Sequence, residues 1–347
     1  MERPPTSNHE TASNRHTAPN REAASNRTAT PNSTAMPDDA ASPASASHGA
    51  ANVTGGFPVA IDGSTFGWTA GLDETMRILT GFADAGGRLV CTADHYAGGR
   101  SEVMIGRWLS TLRDRSQAIV ATKIGRHPDS TGLSARSIVR ATEASLYRLA
   151  TDYIDILSFD GEHAETPIDE SLEAVDALRR AGKVRYLAAS GYRAERIAEV
   201  ADFAAAAAYP VFRAVIAEYN LLCAAQFETE LAPVLRRLGI DAITRFPLAG
   251  GLLGDDERPG EPPHDNRTRG ADRPSRRAAS VRRALRRVAD ERGLRMRQVA
   301  LAWVLCHPGV ASVMVQARDV DELDGLLEAV PVRLTRHDLS ALNKVAA

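Results

Sequence analysis

The chain has 347 residues, and its 42 Lys and Arg against 44 Asp and Glu leave a formal charge of −2. So even a balance offers no basic field for nucleic acid or an anionic membrane. Hydrophobic residues make up 44% and charged residues 25%, ordinary for a globular chain with a large core. No run approaches the roughly 18 apolar residues of a membrane-spanning helix. Three cysteines, Cys91, Cys223 and Cys306, are too few and too dispersed for a disulfide framework or zinc knuckle, which points to a reducing, cytoplasmic setting.

Residues 1–51 differ in kind from the rest. They are rich in Asn, Thr, Ser, Ala and Pro, and Ala12-Ser13-Asn14-Arg15 returns as Ala24-Ser25-Asn26-Arg27. Such a segment buries too little surface to offset the entropy of ordering, so a disordered tail is expected. It has no apolar stretch of the secretory kind. Arg is sparse for a transit peptide, and a dispensable extension with Met36 as an alternative start is the plainer reading.

From residue 52 onward, short β-rich runs alternate with helical periods. The runs are Phe57-Ile61, Arg88-Thr92, Ala118-Thr122, Tyr153-Ser158, Val184-Ala188, Phe212-Ile216, Ile240-Thr244 and Val310-Val315. Helical patterns follow at Asp73-Ala85, Ser101-Leu112, Ala135-Leu149, Asp169-Ala181, Ala194-Ala208, Glu228-Leu238 and Val320-Ala329. A polar Asp255-Ser275 stretch and two helices, Arg276-Arg292 and Met296-His307, separate the seventh and eighth runs. Strict alternation means parallel strands with helical crossovers. Eight such units in under 300 residues predict one (β/α)8 barrel over 52–347, with its chemistry at the C-terminal strand ends. No G-x-G-x-x-G or P-loop pattern follows a run, which removes the usual nucleotide folds.

Along the barrel region the chain carries T-A-D-H-Y-A-G-G-R-S-E (92–102), A-T-K-I-G (121–125), S-L-Y-R-L-A-T-D-Y-I-D (145–155), T-P-I-D-E-S-L (166–172), A-G-K-V-R-Y-L-A-A-S (181–190), E-Y-N-L-L (218–222), P-L-A-G-G-L-L (247–253) and V-A-L-A-W (299–303). In this order and spacing they resemble the aldo-keto reductase superfamily. The resemblance implies NADPH-linked reduction of a small aldehyde or ketone, with Tyr96 as proton donor and Lys123 tuning its phenol. A phenol near pKa 10 is a poor acid at neutral pH without a neighbouring cation. Two further positions of that site have changed. Cys91 stands where the family has the Asp that pairs the Lys, and Asp160 stands where it has a His that orients the carbonyl.

Asp160 could pair with Lys123 or, protonated, donate to a carbonyl. Cys91 beside Lys123 could form a thiolate, although a small buried Cys is usually a packing residue. For the nicotinamide carboxamide the resemblance implies Ser190, with Gly191 and Ile216 replacing the other polar contacts. Arg245 and Phe246 stand where an aromatic often stacks. Pro247, Leu248 and Gly250 would offer backbone to a pyrophosphate, and Arg318 would meet a 2′-phosphate. Trp68 and His95 are candidate substrate contacts, and Asp255-Ser275 is a candidate lid. No metal is expected: Asp160, Glu162 and His163 lie close in sequence but without a second cluster. The Arg-rich helix 276–287 reads as a solvated face. A reductase is the leading reading. The alternatives are a barrel without hydride chemistry, acting as a lyase, dehydratase, epimerase or cyclase, and a non-catalytic binding barrel.

Overall fold

The computed structural model describes residues 53–255 and 275–346. The expected disordered tail over 1–51, and the lid apart from its end residues Asp255 and Ser275, lie outside the described residues. Eight strands close a barrel in chain order: β1 (Val59–Asp62), β2 (Leu89–Ala93), β3 (Ile119–Ile124), β4 (Ile154–Asp160), β5 (Val184–Ser190), β6 (Phe212–Glu218), β7 (Asp241–Arg245) and β8 (Val310–Val315). Every pairing is parallel, and β8 returns to β1 with Val59 opposite Val313.

Around it run α1 (Leu72–Asp84), α2 (Arg100–Leu109), α3 (Ala135–Leu149), α4 (Ile168–Arg180), α5 (Ala194–Ala207), α6 (Ala224–Gln226), α7 (Ala232–Leu238), α8 (Arg276–Arg292), α9 (Met296–Leu305), α10 (Val320–Leu327) and α11 (Arg336–Ala346). The helix expected over Glu228-Leu238 is interrupted by a π turn at Phe227–Leu231. Pro233, in the first turn of α7, has no N–H to return to the preceding turn. The closing helix α11 has no counterpart among the sequence expectations. On α8, Arg283, Arg286 and Arg287 are exposed, as the solvated-face reading expects, while Arg282 is half-buried and donates to the Leu252 carbonyl.

Alternation across each strand sorts the side chains into two layers. Ala60, Leu89, Cys91, Ala121, Ile156, Ala188, Ile216, Ile243 and Met314 fill the barrel interior. The opposite strand faces pack against the helices in a larger core. Continued two or four residues toward the C-terminal ends, the inward faces carry Asp62, Ala93, Lys123, Asp160, Ser190, Glu218 and Arg245. Polar chemistry is thereby gathered at one mouth above an apolar plug.

A buried ionic clamp fixes that mouth. Glu102 of α2, fully buried, accepts from Thr122 of β3 at 2.6 Å and from Arg148 of α3 at 2.6 Å. Beside it, α2 and α3 cross so closely that a Cβ on Gly106 would lie 2.7 Å from the Arg148 carbonyl oxygen.

Candidate functional site at the barrel mouth

Tyr96 opens a short turn, Tyr96–Gly99, directly beyond β2. Ala97, Gly98 and Gly99 take φ of 51°, 66° and 86°. This left-handed run is easy for the two glycines and strained for Ala97. It returns the chain into α2 and leaves Tyr96 only 8% exposed. Lys123, on the inward face of β3, is 3% exposed, and its Nζ donates to Tyr96 Oη at 2.5 Å. Because the ammonium occupies a lone pair of the phenol oxygen, the phenol's own proton is directed elsewhere.

The charges around this pair differ from the sequence expectation. Burial pushes the Tyr96 phenol well above its ordinary value, Asp62 adds to that, and the pull of Lys123 does not cancel them. Tyr96 is therefore a firmly protonated donor and not a pre-ionised phenolate. For Lys123, burial works against the charged form, but Tyr96, Asp62 and Asp160 together outweigh it and the net direction is upward. The ammonium stays charged.

Asp160 does not pair with Lys123. Its carboxylate is 2.9 Å from Arg126 Nε, and it accepts from Ser190 Oγ at 3.3 Å. Arg126, two residues past β3, holds it instead, and the same Nε donates to the Asp160 carbonyl at 2.9 Å. The surroundings of Cys91 argue against the thiolate idea. Burial, then Asp62, push the thiol up to about 12 against a weaker pull from Lys123, so Cys91 packs in the barrel core as a neutral thiol. Asp160, Glu162 and His163 line one cavity, but Arg126 engages Asp160 and Arg193 engages Glu162 at 3.1 Å, and among the described residues no His, Cys, Asp and Glu group is placed to hold a metal ion.

His95 lies against Tyr96, ring centroids 5.0 Å apart and edge-on, with Nδ1 3.3 Å from the Asp94 carboxylate. Trp68 stands on the rim with 54% of its surface exposed. A cavity of about 380 Å³ opens next to the mouth between Gly125, Arg126, Thr131, Asp160, Gly161, Glu162 and His163. Two residues that matter here escaped the sequence reading, Asp62 and Arg126. Asp62 carried a signal: it ends a strand on the inward face, two residues beyond the interior Ala60.

A family model described as "Aldo/keto reductase family" matches residues 62–347. The chain belongs to the aldo/keto reductase family. It is 33% identical over 281 residues to a probable voltage-gated potassium channel subunit beta of Arabidopsis thaliana, covering 77% of this chain and 85% of that protein. The rice protein of the same name is 29% identical over 281 residues, with the same coverage. Versiconal hemiacetal acetate reductase of Aspergillus parasiticus is 28% identical over 305 residues, covering 80% of this chain and 88% of the relative.

The family generally uses a nicotinamide cofactor, and the described residues fit NADPH poorly. Ser190 spends its hydroxyl on Asp160. Ile216, where the resemblance implies a carboxamide ligand, is 1% exposed within the apolar plug, and Gly191 brings no side chain. Arg245 has a buried Nε with no hydrogen-bond partner and lies over the Phe246 ring at 5.0 Å. In the turn that follows Pro247, the N–H groups of Ala249 and Gly251 bond back to Phe246 and Leu248, at 2.9 and 3.0 Å, on either side of Gly250. Arg318 gives its Nε to Glu322 at 3.1 Å. The N-terminus of α10 is already capped by Asp319 and carries Asp321 and Glu322 in its first turn, which disfavours a phosphate dianion there. Among the described residues no helix is long and apolar enough to cross a membrane.

Proposed function

We propose that this member of the aldo/keto reductase family is an enzyme that moves a proton on and off the oxygen of a small carbonyl or hydroxyl compound at the barrel mouth, with Tyr96 as the donor. The observation that carries this reading is the buried hydrogen bond from Lys123 Nζ to Tyr96 Oη, at 2.5 Å. A bystander tyrosine has no need of a desolvated ammonium. The pair costs burial energy that only a developing negative charge on oxygen would use.

Two reactions use such a donor. In the first, Tyr96 protonates the carbonyl oxygen, and a nicotinamide nucleotide, were one held at the mouth, would supply the hydride, in keeping with the name of the Aspergillus relative, a reductase. In the second, Asp160 takes a proton from the carbon beside the carbonyl while Tyr96 protonates the oxygen, giving an enol. The enol then regains a proton on carbon, or expels a neighbouring group. The poor fit of Ser190, Ile216, Arg318 and the α10 N-terminus to NADPH favours the second reaction, a lyase, dehydratase or epimerase class. The retained Tyr96–Lys123 pair argues against a purely binding barrel.

The test is hydrogen exchange. The full chain is incubated with small hydroxyketones and aldehydes in D2O, and loss of the α-proton signal is followed by NMR. Exchange that falls about 10²-fold or more in Tyr96→Phe supports the reading. Equal rates for the two proteins across the panel overturn it. A parallel titration with NADPH and NADH, read by tryptophan fluorescence, separates the two reactions: saturation at micromolar nucleotide restores the reductase.

A further inference from the structure

We infer that Asp62 is the counter-ion of Lys123, a carboxylate supplied from β1 in place of the one missing at position 91, and that it positions the Tyr96–Lys123 pair. The inference deepens the proton-transfer reading above and rests on it for the use of the pair.

The argument begins with register. Asp62 lies opposite Cys91 in the β1–β2 ladder, and Lys123 lies opposite Ala93 in the β2–β3 ladder. Cys91 and Ala93 are two apart on β2 and share its inward face, so Asp62 and Lys123 reach the mouth from either side of the same strand. The Cys91 side chain between them is uncharged.

Charge balance gives the second step. Asp62 is 4% exposed and Lys123 is 3% exposed. Among the described residues the Asp62 carboxylate accepts from neutral donors, Ser64 N at 3.1 Å and Gln316 Nε2 at 3.3 Å, and Lys123 donates to a phenol. The other charged groups facing the pair are committed or of the wrong sign. Asp160 on β4 is held by Arg126, and Arg245 on β7 repels Lys123. Asp94 is turned to His95. Among the described residues neither Lys123 nor Asp62 has an ion pair within 4.0 Å, and Asp62 acts on Lys123 more strongly than Asp160 does, so the two buried charges compensate each other across β2.

Two readouts that need no substrate test this. Asp62→Asn is nearly isosteric and can still accept from Ser64 N. In the first readout, Asp62→Asn, Lys123→Met and the double variant are unfolded in urea. Each single change is expected to lower the midpoint, and the double to recover part of the summed loss. In the second, protein carrying 13Cζ-tyrosine is titrated by NMR, with Tyr96→Phe assigning the resonance. Removing the Asp62 charge is expected to bring the onset of Tyr96 ionisation at least one pH unit lower, and Cys91→Asp on that background to move it back. Strictly additive losses, or an onset that does not move, overturn the inference. Failure of the exchange assay would leave both readouts standing, so the two ideas fail separately.

Discussion

Arg148→Met is the sharpest test of how the mouth is held together. Its partner Glu102 has a fully buried side chain, whereas the Arg148 side chain is 19% exposed. Breaking a buried pair by removing one member costs about 3–5 kcal/mol, because the remaining charge is left uncompensated. Proton uptake sets a ceiling on that cost. Burial already pushes the Glu102 carboxyl above its ordinary 4.5 even with Arg148 and Thr122 beside it. Taking up a proton at pH 7 against that ordinary value costs about 3.4 kcal/mol, at 1.36 kcal/mol per unit. The variant is therefore expected to lose about 3 kcal/mol at pH 7, with Glu102 folded as the neutral acid.

The sign with pH follows. A carboxyl whose folded value lies above its unfolded one binds more protons in the folded state, so stability is full below about 4.5 and is lost as pH rises through the folded value. The deficit of Arg148→Met relative to the parent should accordingly shrink to less than about 1 kcal/mol at pH 5. Urea unfolding followed by circular dichroism at pH 5, 6 and 7 measures this. Adding Glu102→Gln should recover part of the loss at pH 7. A deficit below about 0.5 kcal/mol at pH 7, or one that persists unchanged on acidification, would refute the reasoning.

Three further outcomes are expected. Gly106→Ala drives a methyl into the α3 backbone and should cost about 1–3 kcal/mol in the same urea assay; an unchanged midpoint would mean that the helices separate freely. Cys91, at 1% exposure and with its thiol pushed up to about 12, should resist alkylation in native protein at pH 8 and react only after unfolding, as read by peptide mass mapping. Fast native labelling of Cys91 would revive the nucleophile reading. Glu322→Gln should free the Arg318 fork and tighten binding of 2′,5′-ADP about tenfold by calorimetry; no change would show that Arg318 does not face a phosphate site.

The barrel was legible because strand–helix alternation is a long-range pattern that survives substitution. Strand starts and ends fell within two residues of the sequence expectation, but several ends ran long. β4 runs to Asp160, β5 to Ser190 and β6 to Glu218, each two residues beyond the apolar run. Polar residues at those ends break the hydrophobic signal while their backbones remain in the ladder, and those residues line the mouth. Tyr96 and Lys123 were legible from their motifs. The partner of Asp160 was not, because Arg126 is separated from it by 34 positions and carries no periodic signal. Asp62 showed as the polar end of β1, but its link to position 91 lies in the β1–β2 register, which no local pattern encodes.

The changes at the mouth can be understood as one change. A carboxylate at position 91 would face Lys123 from within β2. Moved to Asp62, it keeps the ammonium charged but sits beside the end of β8, where Gln316 reaches it at 3.3 Å and Ser64 at 2.7 Å. That amide ties the turn after β1 to the segment leading into α10. Two and three residues beyond Gln316 stand Arg318, engaged by Glu322, and the acidic cap Asp319. Compensating Lys123 from β1 and tying the turn after β1 to the segment before α10 therefore share one carboxylate. If so, restoring Asp at position 91 alone adds a second buried negative charge and should destabilise the fold, whereas Cys91→Asp together with Asp62→Gly should be tolerated and should loosen Gln316. Comparing the melting points of those two variants decides it: equal tolerance of both would mean that the two carboxylate positions are independent.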